Sequence, residues 1–262
     1  MGKSVATTTE APLPALPDAL ASLFAEEAGQ GMEDVSPDDI QLPFIKQVQD
    51  ISPERDDTAP EYIKGANSGD LFNSVTREIY DREGLEVIPA SFRNTVVAFK
   101  PRKSGGGFLG EYESKEQALE HLDEPAELVE SVTVAIMYRP MGSSDSFQPA
   151  LLSLSKSKVK VARGWRTQLL GVRIPVGTND DGTPKTVQPP IYGTRFCLTS
   201  VRTRNNKGAY YNLNVRFLGS VGSTADALLA KSFGEAMNAR ELRAGFDAET
   251  FGADDDGSKP AF

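Results

Sequence analysis

The sequence predicts a mainly β fold with added helices, and three observations carry that prediction. Short runs rich in Val, Ile, Phe and Tyr recur between clusters of Gly, Pro, Asn and Asp, the signature of strands bounded by turns. A late pair of such runs flanks Asn205-Asn206-Lys207-Gly208, which has the amide and glycine chemistry of a hairpin turn. Helical periodicity is confined to a few stretches.

Taken in order, residues 1–40 read as a flexible acidic arm, proline-rich at Pro12, Pro14 and Pro17, with one short helix over Asp18–Glu27. Leu42-Pro43-Phe44-Ile45 is an apolar patch in an acidic connection and is expected to dock on the core. Strands are expected at Asp70–Tyr80, Leu85–Ala90, Ser91–Lys100, Phe108–Tyr112, Ser131–Arg139 and Gln148–Ser155. Ser114–Leu122 reads as a helix with Ser114 as N-cap and Gln117 in the capping-box position. A basic helix follows from Lys156 to about Leu170, capped by Ser155, with Val161, Trp165 and Leu169 along one side. Pro175–Pro190 is read as a long turn-rich excursion. Two late strands, Tyr192–Arg204 and Gly208–Leu218, lead to a last amphipathic helix over Ser223–Arg243. The expected organisation is therefore an arm (1–40), a main domain (41–222), a C-terminal helix (223–245) and a disordered acidic tail (246–262).

Composition narrows the function classes. The 262 residues, 39% of them hydrophobic, can build a sizeable core. Cys197 is the one cysteine, so the chain has no internal disulfide and no thiolate cluster, and the cytoplasm is the expected compartment. No apolar run approaches the roughly 20 residues of a membrane span, and no membrane partner is expected. The net charge of −9 argues at first against nucleic acid, but its distribution reverses the argument. Ser146–Ala225 holds twelve Lys and Arg against two acids, Asp180 and Asp181, a local balance of +10 that leaves −19 for the rest. A basic region between acidic arms suggests a polyanion-binding surface.

The late hairpin is chemically the most suggestive part. In Tyr210–Phe217, alternate residues separate into an apolar set (Tyr211, Leu213, Val215, Phe217) and a polar one (Tyr210, Asn212, Asn214, Arg216). Beside Arg202, Arg204 and Lys207, the second set offers base stacking, edge hydrogen bonds and phosphate pairing together, a combination suited to single strands. Tyr210 reads equally as a cross-strand packing residue. Lys156, Lys158, Lys160, Arg163 and Arg166 on the basic helix would add phosphate contacts, and Phe196 a second stacking ring. Trp165 reads as a core anchor. Gly105–Gly110 lacks the order of a phosphate-binding P-loop and reads as a flexible loop.

Catalysis finds no positive support. His121, the only histidine, lies in an acidic helical stretch, which disfavours a triad. No carboxylate grouping shows metal-ligand spacing, although Asp70, Glu78, Asp81 and Glu86 could assemble a two-metal site only through the fold. No enzyme activity and no cofactor are expected.

The acidic run Asp254, Asp255 and Asp256, followed by the closing aromatic Phe262, after a basic, aromatic-bearing β domain, resembles the layout of replicative single-stranded DNA-binding proteins of bacteria and their phages. The block Leu42–Lys46, Ser52-Pro53 and Gly65–Asp70, within Gln41–Pro89, is similar to a family of phage-encoded proteins associated with single-strand binding. The resemblance implies an oligonucleotide-binding (OB) fold, a Greek-key barrel with a helix between its third and fourth strands, here elaborated by the basic helix, the hairpin and the C-terminal helix. It implies single-stranded DNA as ligand, replication or recombination proteins recruited by the tail, and a bacterial or infected-cell setting. A homo-oligomer is compatible with it. This tail ends Lys-Pro-Ala-Phe, a departure that leaves its receptor open. A virion structural or assembly protein, and a strand-annealing recombination mediator, are the alternative readings.

Overall fold

The computed structural model describes residues 17–27, 30–31, 41–101, 107–123, 125–205 and 208–239. Contacts divide the chain into two compact units, Met1–Ile40 and Gln41–Phe262. In the first, helix α1 (Asp18–Glu26) starts after Pro17, whose carbonyl accepts from Leu20 N at 2.9 Å.

The second unit is built on antiparallel strands. A small sheet joins β1 (Ile45–Gln47), β2 (Leu71–Asn73) and β3 (Ile79–Tyr80). The main sheet comprises β4 (Leu85–Phe99), β5 (Phe108–Tyr112), β6 (Glu127–Pro140), β7 (Gln148–Ser155), β10 (Thr194–Asn205) and β11 (Gly208–Ser220), in the order β11-β10-β4-β6-β7 with β5 also on β4. Strands β8 (Ile174–Thr178) and β9 (Pro184–Val187) form a separate ribbon. Helices α2 (Lys115–His121), α3 (Val159–Gly171) and α4 (Thr224–Ala239) complete the fold.

Alternation sorts the side chains to two buried faces. On one, Val132, Val134 and Ile136 of β6, Leu152 and Leu154 of β7, Val87, Phe196, Leu198, Leu213 and Val215 surround α3, which inserts Ala162, Trp165 and Leu169. Trp165 is fully buried, edge-on to Phe92 at 5.3 Å and to Phe196 at 5.4 Å, and is the core anchor that its spacing predicts. On the other face, Ile88, Ala135, Met137 and Leu151 are covered by Ala230, Phe233 and Met237 of α4 together with Leu42 and Phe44. The Leu42–Ile45 patch thus docks on the core as expected.

Four local expectations change. Asp70–Tyr80 is not one strand but two, β2 and β3, paired antiparallel across a turn at 74–76. Leu85–Lys100 is not two strands but one, β4, paired with β6 over its length. Pro89, which lacks an N–H, lies at the register shift between Pro89 and Ser91, where the ladder does not require that donor. Helix α4 crosses this bulge at Gly234, where a Cβ would lie 2.4 Å from the Ala90 carbonyl oxygen. Ser155 does not cap α3; a 3₁₀ turn, Lys156–Lys158, comes first, with Lys156 in the left-handed region (φ 51°). The Pro175–Pro190 excursion contains the β8–β9 ribbon, whose turn is tied by Asp181 Oδ1 accepting from Thr183 N and Oγ1; those bonds hold the Asp181 carboxyl below its ordinary pKa. At α2 Ser114 is the N-cap as expected, its Oγ accepting from Gln117 N, while Gln117 Oε1 accepts from Glu113 N, one residue before the cap.

Strands β7 and β11 end the main sheet, and the segment around β1 meets both. Leu151 N of β7 donates to Pro43 O at 2.8 Å, and Phe44 forms a parallel bridge with Leu151. At β11, Gln49 Oε1 accepts from Tyr211 N at 2.9 Å while Gln49 Nε2 donates to Tyr211 O at 3.0 Å. Asn212 Oδ1 accepts from Leu213 N, and Gln168 Nε2 of α3 donates to Val215 O. Side-chain amides therefore occupy an edge that would otherwise invite another strand.

Candidate functional site

Between α3 and the outer edge of β11 runs a groove of about 910 Å³. Lys156, Lys160 and Arg163 line one side, Tyr210, Asn212 and Asn214 of β11 the other, and Lys115 and Glu130 close an end. Four cations from three separate segments face one carboxylate. Glu130 is shared, 2.8 Å from Lys115 Nζ and 3.4 Å from Arg163 Nη2. The Lys115 hydrogen bond and charge, with a smaller contribution from Arg163, hold its carboxyl below the ordinary Glu range. The groove thus keeps an excess of positive charge, and exposed cations beside a strand edge attract a polyanion without fixing its sequence.

Trp165 lies at the base of this groove. Its indole Nε1 is buried with no hydrogen-bond partner among the described residues. Lys156 at the rim carries the unusual backbone φ, a conformation that costs about 1 kcal/mol or more in a non-glycine residue and clusters at functional sites.

The expected binding residues divide. Lys156, Lys160, Arg163, Tyr210, Asn212 and Asn214 are brought together in the groove. Arg166 borders the adjoining cavity of about 320 Å³, where it donates to Asn94 Oδ1 at 2.8 Å and lies 5.1 Å above the Phe92 ring; burial lowers its pKa. Arg216 is exposed on the hairpin, paired across the strands with Cys197.

Three placements correct the sequence reading. Phe196 cannot stack on a base, because it is fully buried between Trp165 and Phe217, both 5.4 Å away. Lys158 is also buried and offers no surface charge. Arg202 and Arg204 pair with Tyr211 and Ala209, whereas Tyr210 pairs with Thr203. Directly opposed residues share a face, so the two arginines lie on the opposite face of the hairpin from Tyr210, Asn212, Asn214 and Arg216. The two sets do not form one surface. Lys207, Asp254, Asp255, Asp256 and Phe262 lie outside the described residues.

The carboxylates considered for a metal site are engaged separately. Glu86 lies between Arg139 and Arg195, Asp70 accepts from Asn67 N, Asp81 from Glu83 N, and Glu78 from the Tyr80 hydroxyl. Burial, with the Tyr138 hydrogen bond, raises the Tyr80 pKa. Among the described residues no three His, Cys, Asp or Glu side chains gather around a common point, and no helix is long and apolar enough to cross a membrane.

Fold and groove together define a mainly antiparallel β protein with a cationic cleft between a core helix and a strand edge. The chain belongs to the Pam3 phage gp34-like protein family, whose model matches residues 9–243, and so to a family of bacteriophage proteins. No curated protein and no solved structure matches it.

Proposed function

We propose that this is a non-enzymatic protein that binds single-stranded DNA largely without sequence preference. The observation that carries the reading is the convergence of Lys115, Lys156, Lys160 and Arg163 on a groove whose facing wall contains Tyr210, Asn212 and Asn214. Phosphates would meet the cations of α3, and bases the tyrosine and amides of β11. A duplex reader would instead present an exposed helix to the major groove, and α3 has its apolar side committed to the core. Membership of a phage family and the basic balance of Ser146–Ala225 support the same reading. The contact of the β1 segment with both edges of the main sheet supports an OB-like arrangement.

The acidic tail belongs to the same proposal. Free, Asp254–Asp256 compete for the groove at the high effective concentration of a tether; displaced by DNA, the tail offers Phe262 to a replication or recombination protein. The test is titration of a fluorescent oligothymidine and a matched duplex across a salt series, with the full chain and with Gly252–Phe262 deleted. Single-strand preference with a steep salt slope is expected, with tighter binding at low salt after deletion. Absence of binding at low salt overturns the DNA reading; affinity and partner capture that are both unchanged by the deletion overturn the tail mechanism.

A further inference from the structure

Strand β10 touches β4 only through Phe196–Leu198, while its pairing with β11 continues to Asn205–Gly208. Beyond Leu198 the hairpin is thus a two-stranded arm, and a lone ribbon of that kind is marginally stable in water. Its direction must be set by whatever holds it along its length.

The arm is held at Tyr211, opposite Arg202 and well beyond its junction with β4, from two sides. Along the backbone, Gln49 makes the paired bonds to Tyr211 N and O, and its Nε2 also donates to Gln47 Oε1 at 3.2 Å. Gln47 Nε2 donates in turn to Ser200 Oγ at 2.6 Å and to Asn212 O at 3.0 Å, reaching both strands of the arm. Both glutamines are buried, where such amides are costly to leave unpaired. Against the ring stands Gly69, at φ +93°, where a Cβ would lie 2.5 Å from Tyr211 Cε1. Gly69 is fixed by its N–H to Val48 O at 2.8 Å, and Val48 N reaches Asp70 O at 2.9 Å. None of Gln47, Gln49, Gly69 or Tyr211 lines the groove, yet the neighbouring residues Tyr210 and Asn212 form its wall.

We propose that Gln49 and Gly69, with Gln47 behind them, are positioning residues that fix the β10–β11 arm against α3 and thereby set the width of the groove. This rests on the binding reading above. It assigns a role in ligand binding to an uncharged block far in sequence from the basic region. An added methyl at Gly69 pushes the Tyr211 ring away, and loss of the Gln49 amide releases the strand edge; either change moves the wall that carries Tyr210 without altering a groove side chain.

The experiment uses the full chain with Gly69→Ala and, separately, Gln49→Met, which keeps the length of the side chain and removes its amide. Amide hydrogen exchange is followed over residues 208–214 and over Val134–Ile136 of β6, alongside oligothymidine binding. Exchange over 208–214 is expected to accelerate about tenfold or more while the β6 amides keep their protection, with affinity falling about tenfold and the salt slope becoming shallower. Preserved β6 protection separates this outcome from global unfolding. Unchanged exchange over 208–214 in both variants overturns the proposal, as does faster exchange with unchanged affinity. Faster exchange in a protein whose wild type binds no oligothymidine leaves the clamp standing and overturns the binding reading, so the two failures are distinct.

Discussion

The two edges of the main sheet are both met by the segment around β1, but in different ways. At β7 the closure is backbone to backbone, through Pro43 and Phe44, with Leu42 and Phe44 buried behind it. At β11 it is made by side-chain amides, Gln49 and Gln168, with Asn212 satisfying its own neighbour. The first closure is inseparable from the core, because releasing it exposes apolar surface. The second can be undone one hydrogen bond at a time, and it borders the groove. The sheet thus has a structural edge and an adjustable one, and the candidate site lies along the adjustable one.

Removing the apolar support of the β7 edge gives the largest expected effect. Phe44→Ala should destabilise the whole second unit by about 3 kcal/mol, measured as a shift in the denaturation midpoint at unchanged slope. A smaller loss, confined to amides of the arm, would make the two edges equivalent and break the contrast. At the other edge, Gln168→Ala removes a single bond to Val215 O from an exposed side chain and should cost about 0.5–1 kcal/mol. That change should raise exchange at the end of β11 next to α3 while sparing Tyr211.

The smallest stability effect, and the most informative about charge, belongs to Glu130. Its carboxyl pKa is lowered by Lys115 and Arg163, so its contribution to stability is present above the ordinary carboxylate pKa and lost as pH falls through the depressed folded value. Glu130→Gln removes that contribution and frees both cations. Oligothymidine binding at low salt should tighten about threefold at neutral pH, with the gain disappearing in high salt. Weaker binding in this variant would show that Glu130 orders the cations usefully instead of competing for them.

Much of the fold was legible because alternation and caps are local. Ser114 and Gln117 mark α2, Trp165 marks the buried side of α3, and the turn at Asn205–Gly208 marks the hairpin. Strand β4 was hidden by Pro89, which the ladder tolerates only because a bulge falls there. The β8–β9 ribbon was hidden by its own exposure: its residues, apart from the half-buried Ile174, are exposed, so no buried face patterned it. Within the site, the grouping of α3 cations with Tyr210 followed from charge and alternation. The separation of Arg202 and Arg204 from Tyr210 could have been read as well, since a two-residue turn after Asn205 fixes which residues stand opposite. The hold of Gln47 and Gln49 on β11 carried no such signal. Gln47 and Gln49 are ordinary in sequence, and they matter only because a tertiary contact brings them to the edge of β11.

The order of the strands also bears on how the protein is assembled. The pairings β4–β5, β4–β6 and β6–β7 join strands near one another in sequence, whereas Leu85 meets Leu198 only after everything between them has been made. Local pairings close with the least chain entropy and distant ones with the most. The β4–β7 part of the sheet is therefore the natural early structure, and the arm, with the groove wall it carries, the late one. A chain released from the ribosome before Tyr211 is synthesised can own most of its sheet and none of its completed groove, so the proposed binding there would report that folding has run to its end.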